Sequence, residues 1–203
     1  APNEVAGAAK KNKIKAHNRT HLECGYKKLG IYCNFVSYRS PAGAADTLEK
    51  LTGRRPVGIR TASWDFSVDT LSIIRELGLL YDSSLMADDD AYELLDQGKP
   101  TGIVELPPEW IRDDAVYFNM LRFSALRPYT PPSSVEEVFT AEFEGAYREG
   151  GLFLLTMHPH VIGHRSRIAL LDRLVQHMKG FGDVWFATHE EVARWCKTQA
   201  DMK

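Results

Sequence analysis

Residues 134–160 read SVEEVFTAEFEGAYREGGLFLLTMHPH, and this stretch decides the fold class. Val135, Val138, Phe139, Phe143 and Tyr147 recur at three- and four-residue steps, which places them on one face of a helix. Ser134 stands three residues before Glu137, the spacing of a capping box, and Gly150-Gly151 ends the pattern. Residues 152–157 then form a nearly continuous apolar run, as expected of a strand covered on both faces. His158 follows at once, ahead of Pro159. A long amphipathic helix feeding a doubly covered strand is the repeating half of an α/β sheet.

The same alternation extends in both directions. Short apolar runs at 57–60, 79–81, 102–106 and 184–187 read as further strands. Ser67 can cap a helix whose residues Val68, Leu71, Ile74 and Leu77 share a face before Gly78. Ile168, Leu171, Leu174, Val175 and Met178 make another such face ahead of Gly180, and Thr188-x-x-Glu191 opens a last helix with Val192 and Trp195 turned inward. The expectation is an α/β domain around a largely parallel sheet. Residues 117–132, with Pro128, Pro131 and Pro132 among aromatics, read as an ordered flap over one end of it. Residues 1–43 show no firm periodicity.

Composition sets the outer bounds. The 203 residues are 44% apolar and 26% charged, enough for one domain with a sizeable core. A formal net charge of −2 supplies no summed positive field for nucleic acid, and the four lysines between Lys10 and Lys15 read as a solvated face. The start, Ala1-Pro2-Asn3-Glu4, lacks a basic region followed by an apolar one, and no apolar window approaches membrane-spanning length. Cys24, Cys33 and Cys196 show no C-x-x-C spacing, so neither a zinc knuckle nor a disulfide framework is expected. A soluble, cytoplasmic chain follows as the expectation.

Several residues could carry chemistry. His17 and His21 are four apart, which on a helical turn aims two imidazoles at one point, as a metal requires. Taken alone, that spacing more often marks solvent-exposed bystanders. His158 lies where an α/β strand ends, the place where such folds gather functional groups. His160, His164, Arg165 and Arg167 crowd the same loop with cationic groups suited to an oxyanion or an anionic substrate. Arg60 ends a strand, where a buried guanidinium requires a carboxylate partner, and Glu105 at another strand end requires one too. Trp64 and Trp110 read as core or pocket wall, and residues 81–84 as a turn with Asx chemistry.

Residues 53–67, GRRPVGIRTASWDFS, carry a further implication. Together with Tyr81-Asp82-Ser83-Ser84-Leu85-Met86, with Glu105-Leu106-Pro107, and with the loop from Thr156-Met157-His158-Pro159 to Gly163 and Arg167, they resemble conserved blocks of the polysaccharide deacetylases. These are the NodB-homology, or carbohydrate esterase family 4, hydrolases. The match runs in order through residues 44–197 and more weakly through 1–43, and is nearer the peptidoglycan deacetylase-like and allantoinase-like or cyclic-imidase-like branch than the secreted chitin deacetylases. It implies a distorted (β/α)7-type barrel in a single catalytic domain spanning 1–203. It implies metal-dependent hydrolysis of non-peptide C–N bonds in an N-acetylated sugar polymer. A small-molecule amidohydrolase and a degenerate, non-catalytic binding domain are the other readings. By the same resemblance His17 and His21 hold a divalent metal, zinc above others, His158 protonates the leaving group, and Arg60 orients a catalytic aspartate. Trp64, Ser83, Glu105 and Arg165 are taken to line the substrate. A homo-oligomer is expected if partner subunits close the pocket.

Three departures from the family pattern shape the expectation. No strand with an aspartate precedes His17, so the third ligand and the general base are expected to be missing, and with them the first strand of the barrel. The lead-in to the histidines reads Lys11-Asn12-Lys13-Ile14-Lys15-Ala16, basic where the family is acidic. Ala62 stands where the third block usually has proline, which loosens a turn without removing chemistry.

Overall fold

Glycine and proline punctuate the chain into short strands and the helices between them. The computed structural model describes residues 28–31, 41–118 and 130–200. In chain order the elements are β1 (Lys28–Ile31), α1 (Pro41–Thr52), β2 (Gly58–Ile59), α2 (Thr70–Glu76), β3 (Tyr81–Asp82), β4 (Tyr92–Asp96) and β5 (Lys99–Glu105). They continue with α3 (Asp114–Phe118), α4 (Pro132–Glu149), β6 (Leu152–Leu155), α5 (Pro159–Ile162), α6 (Arg165–Lys179), β7 (Trp185–Ala187) and α7 (His189–Gln199). Single 3-10 turns at Ala62–Trp64 and Trp110–Arg112 interrupt two of the loops.

The strands form two sheets, ordered β6-β1-β7 and β2-β3-β5-β4. All pairings are parallel except β4 with β5. The closed barrel expected from the sequence is therefore not what the described residues form. No described strand bonds β2 to the other sheet; a lone parallel bridge between Asp113 and Thr156 and a set of side-chain bonds join the two instead. The antiparallel β4 was not expected either. Its cause is local: Gln97 and Gly98 both take positive φ, 47° and 79°, the signature of a two-residue hairpin turn whose twist matches the strands it joins.

Helix α4 begins earlier than the capping-box spacing implies. Pro132 occupies the first turn and no side chain caps the helix, so Ser134 lies inside it. Proline's fixed φ is already helical and its missing N–H costs nothing there, which is sufficient to start the helix two residues ahead of the serine. Gly150 closes it at φ 73°, as the glycine signal requires. Helix α7 does carry the expected capping box between Thr188 and Glu191. Two residues assigned to apolar faces face outward: Val68 is 97% exposed because α2 starts only at Thr70, and Ile168 is 45% exposed. The inward stripe of α6 is Leu170, Leu174 and Met178, at four-residue steps.

That stripe meets Val135, Phe139 and Phe143 of α4 and Phe153 and Leu155 of β6 in one apolar cluster. Each such side chain contributes roughly 1.5–3 kcal/mol on leaving water. This cluster clamps β6 on one face, while Leu152 and Leu154 pack on the other with Val192, Ala193 and Cys196 of α7. A strand held on both faces places the residues after it, Thr156 and His158, with little freedom.

Candidate active site

Parallel strands present their carboxyl ends on one side, and four polar residues stand there: Arg60 after β2, Ser83 after β3, Glu105 at the end of β5 and Thr156 after β6. Arg60 ties three of these ends together. Its Nε donates to Ser83 O at 3.0 Å and Oγ at 3.2 Å, Nη2 donates to Ser83 Oγ at 2.7 Å, and Nη1 donates to Thr156 Oγ1 at 3.1 Å. Nη2 also lies 3.3 Å from His189 Nε2, which assigns that nitrogen as the acceptor. Burial, reinforced by the guanidinium charge, pushes the His189 imidazole down to about 3, so it stays neutral. Ser83 Oγ donates onward to Leu106 O at 2.6 Å. Its hydroxyl thus both accepts and donates within the protein.

Glu105 does not bond Arg60. It accepts from the backbone N–H groups of Ser84 and Leu85 at 2.8 and 2.9 Å, and the guanidinium acts on it only through space.

Next to this hub is a carboxylate–imidazole pair. Residues 112–114 run alongside the end of β6: Thr156 N donates to Arg112 O at 2.8 Å and Asp114 N to Thr156 O at 3.1 Å. That pairing brings the fully buried Asp114 to His158, whose Nδ1 lies 2.7 Å from Asp114 Oδ1. His158 N donates to both carboxylate oxygens, at 3.1 and 3.0 Å. Asp113 Oδ1 caps Ala115 N at 2.6 Å and stands 3.8 Å from Nδ1. The hydrogen bond to Asp114 raises the His158 pKa, against burial, and burial raises that of Asp113. His158 keeps 31% of its side chain exposed, so a ring anchored through Nδ1 can offer Nε2 to a reactant.

Asp113, Asp114 and His158 offer donor atoms within 4.8 Å of one another, a group that could hold a metal ion. In the arrangement present, however, the two best donors are engaged with each other: Nδ1 and Oδ1 are at hydrogen-bond distance. A cation there would have to displace the proton between them. The trio therefore fits an acid–base pair better than a metal cage.

An aromatic wall flanks the loops. The Trp64 and Trp110 rings lie 4.2 Å apart at 56°, and Trp110 is 52% exposed. Ser63 and Trp64 reach this position at φ 54° and 56°, a region that costs a non-glycine residue about 1 kcal/mol or more.

The expected site residues divide clearly. Arg60, Ser83, Glu105 and His158 gather at the carboxyl ends of the strands, and Trp64 stands on the loop after β2. Arg165 starts α6, exposed, at φ 20°. His17 and His21 lie outside the described residues, as does the body of the 117–132 segment. Asp113 and Asp114 were not anticipated. Their signal was Asp-Asp directly before the apolar run Ala115-Val116-Tyr117-Phe118, at a point where His158 still lacked an orienting carboxylate.

No family model matches the chain. It is 24% identical to a peptidoglycan deacetylase of Helicobacter pylori, over 74% of this chain and 60% of the relative. It is 26% identical to a peptidoglycan deacetylase-like protein of Gibberella zeae, over 72% of this chain and 53% of the relative. The chain thus spans little more than half the length of the curated relatives it matches. Among solved structures, a Mycobacterium smegmatis protein assigned as a polysaccharide deacetylase superposes with TM-score 0.72 and 31% identity, over 78% of this chain and 55% of that one. A Puue allantoinase follows at TM-score 0.65 and 26% identity, over 77% of this chain and 51% of that one. A Pseudomonas aeruginosa protein assigned to the same deacetylase group gives 0.66 and 26%, over 84% and 58%. Sequence relatives and superposed structures agree: what this chain is similar to, in sequence and in fold, is the polysaccharide deacetylases.

Proposed function

We propose that this chain hydrolyses a non-peptide C–N bond, removing an acyl group from an amide nitrogen of an N-acetylated sugar polymer, with His158 as the general acid. The observation that carries the reading is the Asp114–His158 pair at 2.7 Å at the carboxyl end of β6. Asp114 fixes the tautomer and orientation of the ring and favours its protonated form, which holds a proton for the departing amine. When the C–N bond breaks, Nε2 delivers that proton to the nitrogen and the ring returns to neutral against the Asp114 carboxylate. Arg60 holds Thr156, two residues before His158, and so keeps the acid in register with the loop after β2. The tilted Trp64–Trp110 pair offers an apolar face against which a sugar ring can lie.

The zinc reading adds His17 and His21 as ligands. A divalent ion there would acidify a water and polarise the amide carbonyl. Zinc titration by calorimetry checks it: micromolar binding lost in His17→Ala supports these ligands, and unchanged binding in that variant sinks them.

The reaction itself is checked by acetate release from N-acetylglucosamine oligomers and peptidoglycan fragments, with allantoin and cyclic imides alongside. His158→Ala should lower turnover about 10²–10⁴-fold with KM little changed. Equal turnover in that variant would remove the general acid. The allantoinase neighbour supports the small-amide reading as the second one; turnover confined to cyclic amides would select it.

A further inference from the structure

Two buried carboxyl groups act on the same Arg60 as the dyad without belonging to it. Asp82 of β3 and Glu105 of β5 are both 0% exposed and are register partners on adjacent parallel strands, so their side chains emerge on the same side, next to each other. One backbone N–H serves both: Ser84 N donates to Asp82 Oδ2 at 2.9 Å and to Glu105 Oε1 at 2.8 Å. Leu85 N adds a second bond to Oε1 at 2.9 Å, and Ser84 Oγ donates to Asp82 Oδ1 at 3.1 Å. Three of the four oxygens therefore have donors. The fourth, Glu105 Oε2, is buried with none, although the two carboxyl groups are within hydrogen-bonding reach of each other.

An acceptor with no donor, placed against another acceptor, is the arrangement of a carboxylic acid beside a carboxylate. The charges around the pair require the same. Arg60 acts on both acids from the end of β2, and Tyr92, the register partner of Glu105 on β4, faces them from the other side. Of these, Arg60 alone is cationic. A single guanidinium balances one buried carboxylate, whereas two adjacent carboxylates out of water would repel strongly.

We propose that Asp82 and Glu105 share one proton at neutral pH, carried on Glu105 Oε2 and donated to Asp82, and that this proton holds the 83–85 turn in the shape that positions Arg60 beside the His158–Asp114 dyad. Burial first, and the neighbouring Asp82 charge second, push Glu105 well above the usual carboxylate range, in the direction this requires. The turn then fixes Ser83, Ser83 fixes Arg60, and Arg60 fixes Thr156 next to the dyad. Both acids are positioning residues.

The two acids are not interchangeable, and the difference is the test. Glu105→Gln places an amide N–H at Oε2 while its carbonyl keeps the two backbone bonds of Oε1, so it imitates the shared proton. In Asp82→Asn one amide orientation sets an N–H against the Ser84 backbone N–H, and the other removes the acceptor of the Ser84 hydroxyl. Glu105→Gln should melt with wild type at neutral pH and Asp82→Asn well below it, or not fold. Because the Glu105 pKa is higher folded than unfolded, its contribution is present at low pH and is lost as pH rises through the folded value. The Tm difference between Glu105→Gln and wild type should therefore grow in the variant's favour on the alkaline side. An infrared band of a protonated carboxyl should be present in wild type and absent from Glu105→Gln. Parallel Tm–pH curves with no such band would overturn the shared proton. For the positioning half, Glu105→Ala should shift the His158 titration followed by NMR and Glu105→Gln should restore it; a titration indifferent to Glu105→Ala would overturn it. The catalytic consequence rests on the hydrolase reading, but these readouts do not. If wild type proves inactive on every amide while they hold, that reading fails and the shared proton stands.

Discussion

At the scale of single residues, the site depends on how few alternatives each side chain has. His158 is tied to Asp114 through its ring and its own backbone N–H, so removing the carboxylate charge leaves the ring in place but withdraws its support. Asp114→Asn should lower the His158 pKa toward the ordinary imidazole value, and the alkaline limb of the activity profile should move to lower pH with it; NMR titration and a pH–rate series check both. Since the folded pKa is the higher one, the pair's contribution to stability is complete below the unfolded value and fades as pH rises through the folded value. Gly58 has a purely steric role. A Cβ there would lie 2.2 Å from the Tyr81 ring, across the β2–β3 pairing that carries Arg60 and Ser83. Gly58→Ala should cost about 1–3 kcal/mol or prevent folding, read from denaturant midpoints.

At the scale of elements, α7 has its start fully specified. Thr188 Oγ1 accepts from Glu191 N at 3.2 Å, and the Glu191 carboxylate accepts from Thr188 N at 2.7 Å. Thr188→Ala should lower stability by about 1 kcal/mol in thermal melts without touching the dyad. The next residue, His189, stacks on Tyr81 with ring centroids 5.6 Å apart and stays neutral beside Arg60. Its pKa of about 3 lies below the unfolded value, so its contribution is present above that unfolded value and is lost as pH falls toward 3. His189→Phe should accordingly flatten the acid limb of the stability curve. The capping box of α7 was legible because both partners are local in sequence. The one proposed for α4 was not realised, because Pro132 starts that helix first.

At the scale of the whole molecule, the two sheets meet, among the described residues, through an apolar cluster joining Tyr81, Val104 and Leu106 to Leu152 and Leu154, through Arg60 and through the Asp113–Thr156 bridge rather than through a closed ring of strands. Arg60→Met should therefore loosen the relation between the sheets. Hydrogen exchange should rise at residues 83–85 and 156–158 together, while the α4–α6 core, bound by its own aromatics, keeps its protection. By itself the sequence determined the α/β alternation, the doubly covered β6, the helix stops at Gly150 and the start of α7, along with Arg60 and His158 as strand-end residues. All of these are written in short-range periodicity and capping chemistry. The tertiary structure alone decided the partners. Asp114 reaches His158 across 44 positions and Arg60 reaches Thr156 across 96, and Asp82 meets Glu105 only because β3 and β5 pair in that register. No local pattern specifies such contacts, since they are set by which strands lie side by side once apolar faces are buried.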